Sequence, residues 1–104
     1  MKDHNFTFRV KSKAIPIVSI DTMADAAYVY FQRGVKVAKT IVRSEWPHVA
    51  VDLDHKGEVI GIEVLSPKEL SINSILKKAE VQAPRSLISS ARYFDAKSPE
   101  LATA

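Results

Sequence analysis

Residues 52–63 read DLDHKGEVIGIE, and two incompatible structures compete for them. Asp52, Asp54, Gly57 and Glu63 occupy positions 1, 3, 6 and 12 of an EF-hand calcium loop, with Val59 at its apolar position 8. Such a loop needs a helix on either side. Here PHVAVDL precedes and VIGIEVL follows, both rich in β-branched residues and alternating in polarity, the pattern of strands. Lys56 would also put a cation at ligand position 5. The stretch therefore reads as a β-hairpin in which Gly57 supplies the positive φ that closes the turn.

Its register can be tested by matching faces. If Lys56 and Gly57 alone turn, Leu53 faces Ile60, Val51 faces Ile62 and Val49 faces Val64; if Asp54 to Gly57 form a four-residue loop, Leu53 faces Glu58 and Val51 faces Ile60. Both gather one apolar face. A three-residue loop sets Val49 against Glu63 and Asp52 against Ile60, and is disfavoured because a one-residue slip moves every side chain to the wrong side. The register also governs a weaker metal reading, in which Asp52 and Glu63 hold a divalent ion. They are diagonal neighbours at roughly 7–8 Å in the two-residue register, whereas the four-residue register moves Glu63 opposite His48. His48 and Asp52 stand four residues apart on one strand, roughly 13 Å at about 3.3 Å per residue, too far to share an ion. No stoichiometric metal and no cofactor are expected.

Upstream, Phe6, Phe8 and Val10 share one face of a short basic strand, NFTFRV, suited to a sheet edge. IPIVSI follows, then a turn between Asp21 and Asp25, then AAYVYFQ with Ala27, Val29 and Phe31 on one face and Tyr28 and Tyr30 on the other. Arg33 and Gly34 connect to VKVAKTIVR, which Trp46 and Pro47 close. Short loops between successive strands imply antiparallel pairing.

Downstream the period changes. Ser66, Pro67 and Glu69 stand at N-cap, N1 and N3 of a capping box, with Leu70, Ile72, Ile75, Leu76 and Ala79 in one stripe behind them. Pro84 opens a second helix, PRSLISSARYF, on the stripe Leu87, Ile88, Ala91, Phe94, and AKSPELATA reads as a frayed tail. The expected fold is α+β: an antiparallel β-meander of about five strands packed by one or two C-terminal helices.

With 104 residues the chain reads as one domain, burying roughly two-thirds of its unfolded surface. No cysteine is present, which removes disulfides and thiolate zinc sites and fits a reducing cytoplasm. The N-terminal stretch is neither a signal peptide nor a membrane span. Fifteen basic against twelve acidic residues give +3, short of the clustered basic stripe of a nucleic-acid binder.

VSIDTMADAAYVYFQRGVKVAKTIV followed by HVAVDLDHKGEVIGIEVLSPKEL resembles a small prokaryotic family known as domain of unknown function 2283. The likeness rests on Asp21 and Asp25 around a turn, Ala27-Tyr28-Val29 after it, and V-D-x-D-x-x-G-x-V-I-G-I-E-V-L ending at Leu65. It covers 15–78 as a family-like core, leaving a strand extension at 1–14 and a helix and tail at 79–104. The resemblance implies a compact meander with a following helix and no established activity, and, since such genes lie beside toxin-like ones, it points to a protein partner, a toxin-like one, rather than a substrate.

Three glycines, Gly34, Gly57 and Gly61, cannot build a phosphate cradle, and Ser86, Ser89 and Ser90 lack a nucleophile elbow. His4, His48 and His55 are scattered. Asp21 and Asp25 suit backbone-bonding turn roles better than acid–base work. Tyr28, Tyr30 and Trp46 near Lys39 and Arg43 sketch a stacking surface for single-stranded nucleic acid, though strand aromatics more often fill cores or interfaces. The reading that ranks first is a non-enzymatic protein-interaction module acting as a homodimer. An enzyme or metal-binding protein using the hairpin carboxylates, and a weak single-stranded nucleic-acid binder, are the alternatives.

Overall fold

The computed structural model describes residues 8–45, 48–66 and 71–97. In chain order they form β1 (Phe8–Arg9), β2 (Ile17–Asp21), β3 (Ala26–Tyr30), β4 (Lys39–Glu45), β5 (His48–Leu53), β6 (Val59–Leu65), α1 (Ile72–Ala79), β7 (Val81–Gln82), α2 (Arg85–Ser89) and β8 (Arg92–Asp95). Six strands make one sheet in the order β4-β5-β6-β3-β2-β8. Its first five members pair antiparallel, and β8 joins β2 in parallel. The fold is mostly β, with a mixed sheet and two short helices.

The alternation in the sequence becomes rows across the sheet. Val18, Val29, Ile62 and Val51 stand opposite one another in successive strands, and all four are fully buried. Val49, Val64 and Phe31 join them in the core. Helix α1 closes this face with Ile72, Ile75, Leu76 and Ala79. Burying a branched aliphatic side chain contributes about 1.5–3 kcal/mol, so this row and the stripe of α1 supply much of the driving force.

Four expectations are corrected. The sheet is not a purely antiparallel meander of about five strands, because the segment expected to continue the second helix to Phe94 turns back after Ser89. There the hydroxyls of Ser89 and Ser90 both donate to the carbonyl of Ser86, side-chain bonds that compete with helix propagation. β8 then takes the free edge of β2, and the amides of Arg92 and Ala96 donate to Pro16 and Ile20. A stripe at three- and four-residue spacing cannot separate a helix from a turn followed by a strand.

The N-terminal strand is not an edge of the main sheet. β1 pairs parallel with β7 in a separate two-stranded ribbon, Phe8 opposite Val81; residues 5–7 lie outside the described ones. The cap expected at Ser66 sits at Ser71, whose hydroxyl accepts from the Ser74 amide at 3.4 Å. Ser66 is left-handed (φ 58°) and donates its amide to the Asp25 carbonyl at 2.7 Å, while Glu69 lies outside the described residues.

The hairpin tip uses the disfavoured loop. The Asp54 amide donates to the Glu58 carbonyl and Leu53 pairs with Val59, so His55, Lys56 and Gly57 form a three-residue loop. Yet Asp52 pairs with Gly61, Val51 with Ile62 and Val49 with Val64, the register of a two-residue loop. A bulge at Ile60 absorbs the odd residue. Its carbonyl accepts instead from the amides of Phe31 and Gln32, ending β3.

A second bulge, at Arg43, interrupts β4 and turns that residue toward α1. Its Nε donates to the Ala79 carbonyl at 3.2 Å, its Nη2 meets Glu80 at 3.6 Å, and its guanidinium stacks 5.2 Å from the Phe8 ring centre. It ties the sheet to the C-terminus of α1, where unpaired carbonyls favour a cation. Arg43→Ala is expected to destabilise by about 1–3 kcal/mol in denaturant titrations. Arg43→Lys should recover only part of that, because an ammonium cannot stack and donate along the same plane.

Candidate functional site

The side chains pointing away from α1 form an open face. Its rows are also set by register. Ser19, Tyr28, Glu63 and Ala50 are successive neighbours in one row, and Ile17, Tyr30, Gly61 and Asp52 in the next. Thr40 extends the second row on β4 and Arg92 on β8, while Phe94 and Val42 end the first.

Gly61 shapes the centre. Tyr28 stands on β3 and Asp52 on β5, two strand spacings or about 9.6 Å apart, with β6 between them. The Tyr28 ring lies down across β6 over Gly61, so closely that a Cβ there would come within 2.7 Å of its Cζ and 2.5 Å of the Val29 carbonyl oxygen. The phenol thereby reaches Asp52 and donates to Oδ2 at 2.7 Å, while Thr40 donates to Oδ1 at 2.6 Å. Burial, then the hydrogen bond to and charge of Asp52, push the Tyr28 phenol well above its usual range, which keeps it a donor. The Tyr30 ring packs 4.5 Å from that of Tyr28, and Arg33 lies over Tyr30 at 5.4 Å.

Asp52 and Glu63 do share this face, in the diagonal arrangement. Each is engaged elsewhere: Asp52 by two hydroxyls, and Glu63 by His48, whose Nε2 is 3.4 Å from Oε1. Among the described residues no group of three or more His, Cys, Asp or Glu is placed to hold a metal ion. An open depression lined by Val42, Arg43, Ser44, Glu45 and His48 adjoins the face, and neither Asp52 nor Glu63 walls it. Arg43, grouped with the tyrosines as a stacking surface, faces α1 instead, and Trp46 lies outside the described residues.

The other candidates are turn residues. Asp21 accepts from the amides of Met23 and Ala24, and Asp25 takes a left-handed φ of 51° in the same turn. Asp54 accepts from the amides of Lys56 and Glu58 and from Gln32 Nε2, around Gly57 at φ 80°. The Glu58 amide foremost, then that of Lys56, holds the Asp54 carboxyl below its usual range. Its contribution to stability is therefore complete above the unfolded pKa near 3.9 and is lost as pH falls through the lower folded value. Thermal melts across that acid range should show the loss, and Asp54→Asn should flatten it.

Gly61 is the residue whose role the alternation concealed. An isolated glycine inside a strand signals close approach of another group, and that signal was available at position 61.

Among the described residues no helix is long and apolar enough to cross a membrane. No curated protein and no solved structure matches the chain. Residues 17–66 match the family model described as Protein of unknown function (DUF2283). The matched segment runs from the first residue of β2 to the residue after β6, and so contains Tyr28, Asp52, Gly61 and Glu63 but neither α1 nor β8. The segment 17–66, which carries the whole centre of the open face, is thus a member of the DUF2283 family.

Proposed function

We propose that the protein is a non-enzymatic interaction module that docks another polypeptide on the open face of its sheet, with a second copy or a toxin-like protein as the partner. The observation that carries this reading is the state of the face. Its central polar groups already have partners on the face: Asp52 accepts from Tyr28 and Thr40, and Glu63 lies 3.4 Å from His48 Nε2. A catalytic carboxylate needs a free oxygen directed at substrate, whereas an interface gains from polar groups that need no new partner. Around that centre Val42 is 53% and Leu65 38% exposed. The sheet edges suit docking less well, since β4 is broken by its bulge and β8 has four residues, two of them charged. Native mass spectrometry of the protein drawn from its own cell tests the reading. A bound polypeptide, lost on Val42→Glu, is the expected result; a bare monomer in both cases would overturn it.

A further inference from the structure

The topology sorts the charges in a way that chain order hides. Residues 8–20, 26–44 and 81–94 carry nine lysines and arginines and no acidic residue. Register brings parts of all three to one end of the sheet. Thr40, Asp52, Gly61, Tyr30, Ile17 and Arg92 form the last row of the open face at that end. Beside Arg92 in this region stand Lys39 at the start of β4, Lys36 and Arg33 in the connection from β3, and Lys13 ahead of β2. All five cations are exposed.

In the strands that build this end, acids come from the β5–β6 hairpin alone. Asp52 accepts from Tyr28 and Thr40, Asp54 accepts from two amides and Gln32, and Glu58 shares its turn with Lys56. Over the ends of β3, β2 and β8 every charged group among the described residues is positive.

The surface is not only charged. Exposed Ile15, Val35 and Val37 are interleaved with the cations. That mixture discriminates between two kinds of polyanion. A single-stranded nucleic acid stacks its bases on open aromatic faces, but the Tyr30 ring is flanked by Tyr28 at 4.5 Å and Arg33 at 5.4 Å, and Arg92 lies 5.2 Å over Phe94. Aliphatic side chains between the cations offer a phosphate backbone nothing. A polypeptide can set carboxylates on the cations and its own apolar side chains on the aliphatics. From Lys39 to Arg92 the row crosses six strands, about 24 Å, the length of about seven extended residues.

Resting on the interaction-module reading, we propose that the partner polypeptide carries an acidic segment with interspersed aliphatic residues, bound along this basic end of the sheet where it borders the open face.

Fluorescence anisotropy of a labelled peptide of glutamate and leucine, titrated with the full chain at low salt, tests this, with circular dichroism to verify that each variant folds. The expected result is saturable binding that Lys13→Glu, Lys36→Glu and Arg92→Glu in one chain weaken about tenfold or more. Lys77→Glu, Lys78→Glu and Lys97→Glu together change the net charge equally but lie on α1 and beyond the far end of β8, and should weaken it less than about threefold. No binding by the folded chain would overturn the acidic partner, while the module reading would still stand or fall by the bound polypeptide that Val42→Glu removes. Equal weakening by the two combined variants would overturn the basic end as the site. Tighter binding of oligothymidylate than of the peptide would overturn the polypeptide and make the occupant a nucleic acid.

Discussion

Replacing Gly61 with alanine is expected to cost about 3 kcal/mol. Two effects combine. The new methyl would press on the Val29 carbonyl at 2.5 Å, a backbone contact that no rotamer change relieves, and overpacking of this kind costs about 1–3 kcal/mol. It would also lift the Tyr28 ring and leave the phenol and Asp52 without each other, at about 1–3 kcal/mol for a stranded partly buried group. In a domain of this size the melting temperature should fall by about 15 °C. Tyr28→Phe separates the contributions. If Gly61 acts through Tyr28, Tyr28→Phe is costly alone and nearly neutral beside Gly61→Ala; additive costs would mean that the backbone contact accounts for the whole effect.

Phe31→Ala should be at least as damaging, at about 3–5 kcal/mol. The ring is 1% exposed within the core, and its amide is fixed by the bulged Ile60 carbonyl, so the chain cannot easily collapse into the void. Phe31→Leu retains most of the volume and should cost less than about 1.5 kcal/mol. Urea titrations decide between them: equal midpoints for the two variants would show that Phe31 is not the packing anchor its burial indicates.

The central strands were legible because their alternation fixes parity. Val49, Val51, Ile62 and Val64 share one side of the sheet in the two-residue and four-residue registers alike, and β5 and β6 take the first of them. The ends were not legible, because their patterns are degenerate. Leu87, Ile88, Ala91 and Phe94 fit a helical stripe, but three serines spend their polar groups on a turn, and an unpaired β2 edge offers residues 92–95 a better set of bonds. The cap failed similarly: Ser66 and Ser71 can both begin a helix, and Ser66 is claimed by the Asp25 carbonyl. At the site, the carboxylates on the hairpin face were readable one strand at a time. The network was not, since Tyr28 meets Asp52 only by crossing an intervening strand, a contact that depends on the side chain glycine lacks.

The bulge at Ile60 has a bearing on how this chain can vary. A turn of three residues and a sheet needing the parity of two would ordinarily be incompatible, and one inserted residue works as a phase adjuster between them. The loop can therefore change its length by one, with a compensating gain or loss at position 60, while every side chain below keeps its side of the sheet. The tip and the platform are in that sense separately editable parts, with Ile60 as the seam between them.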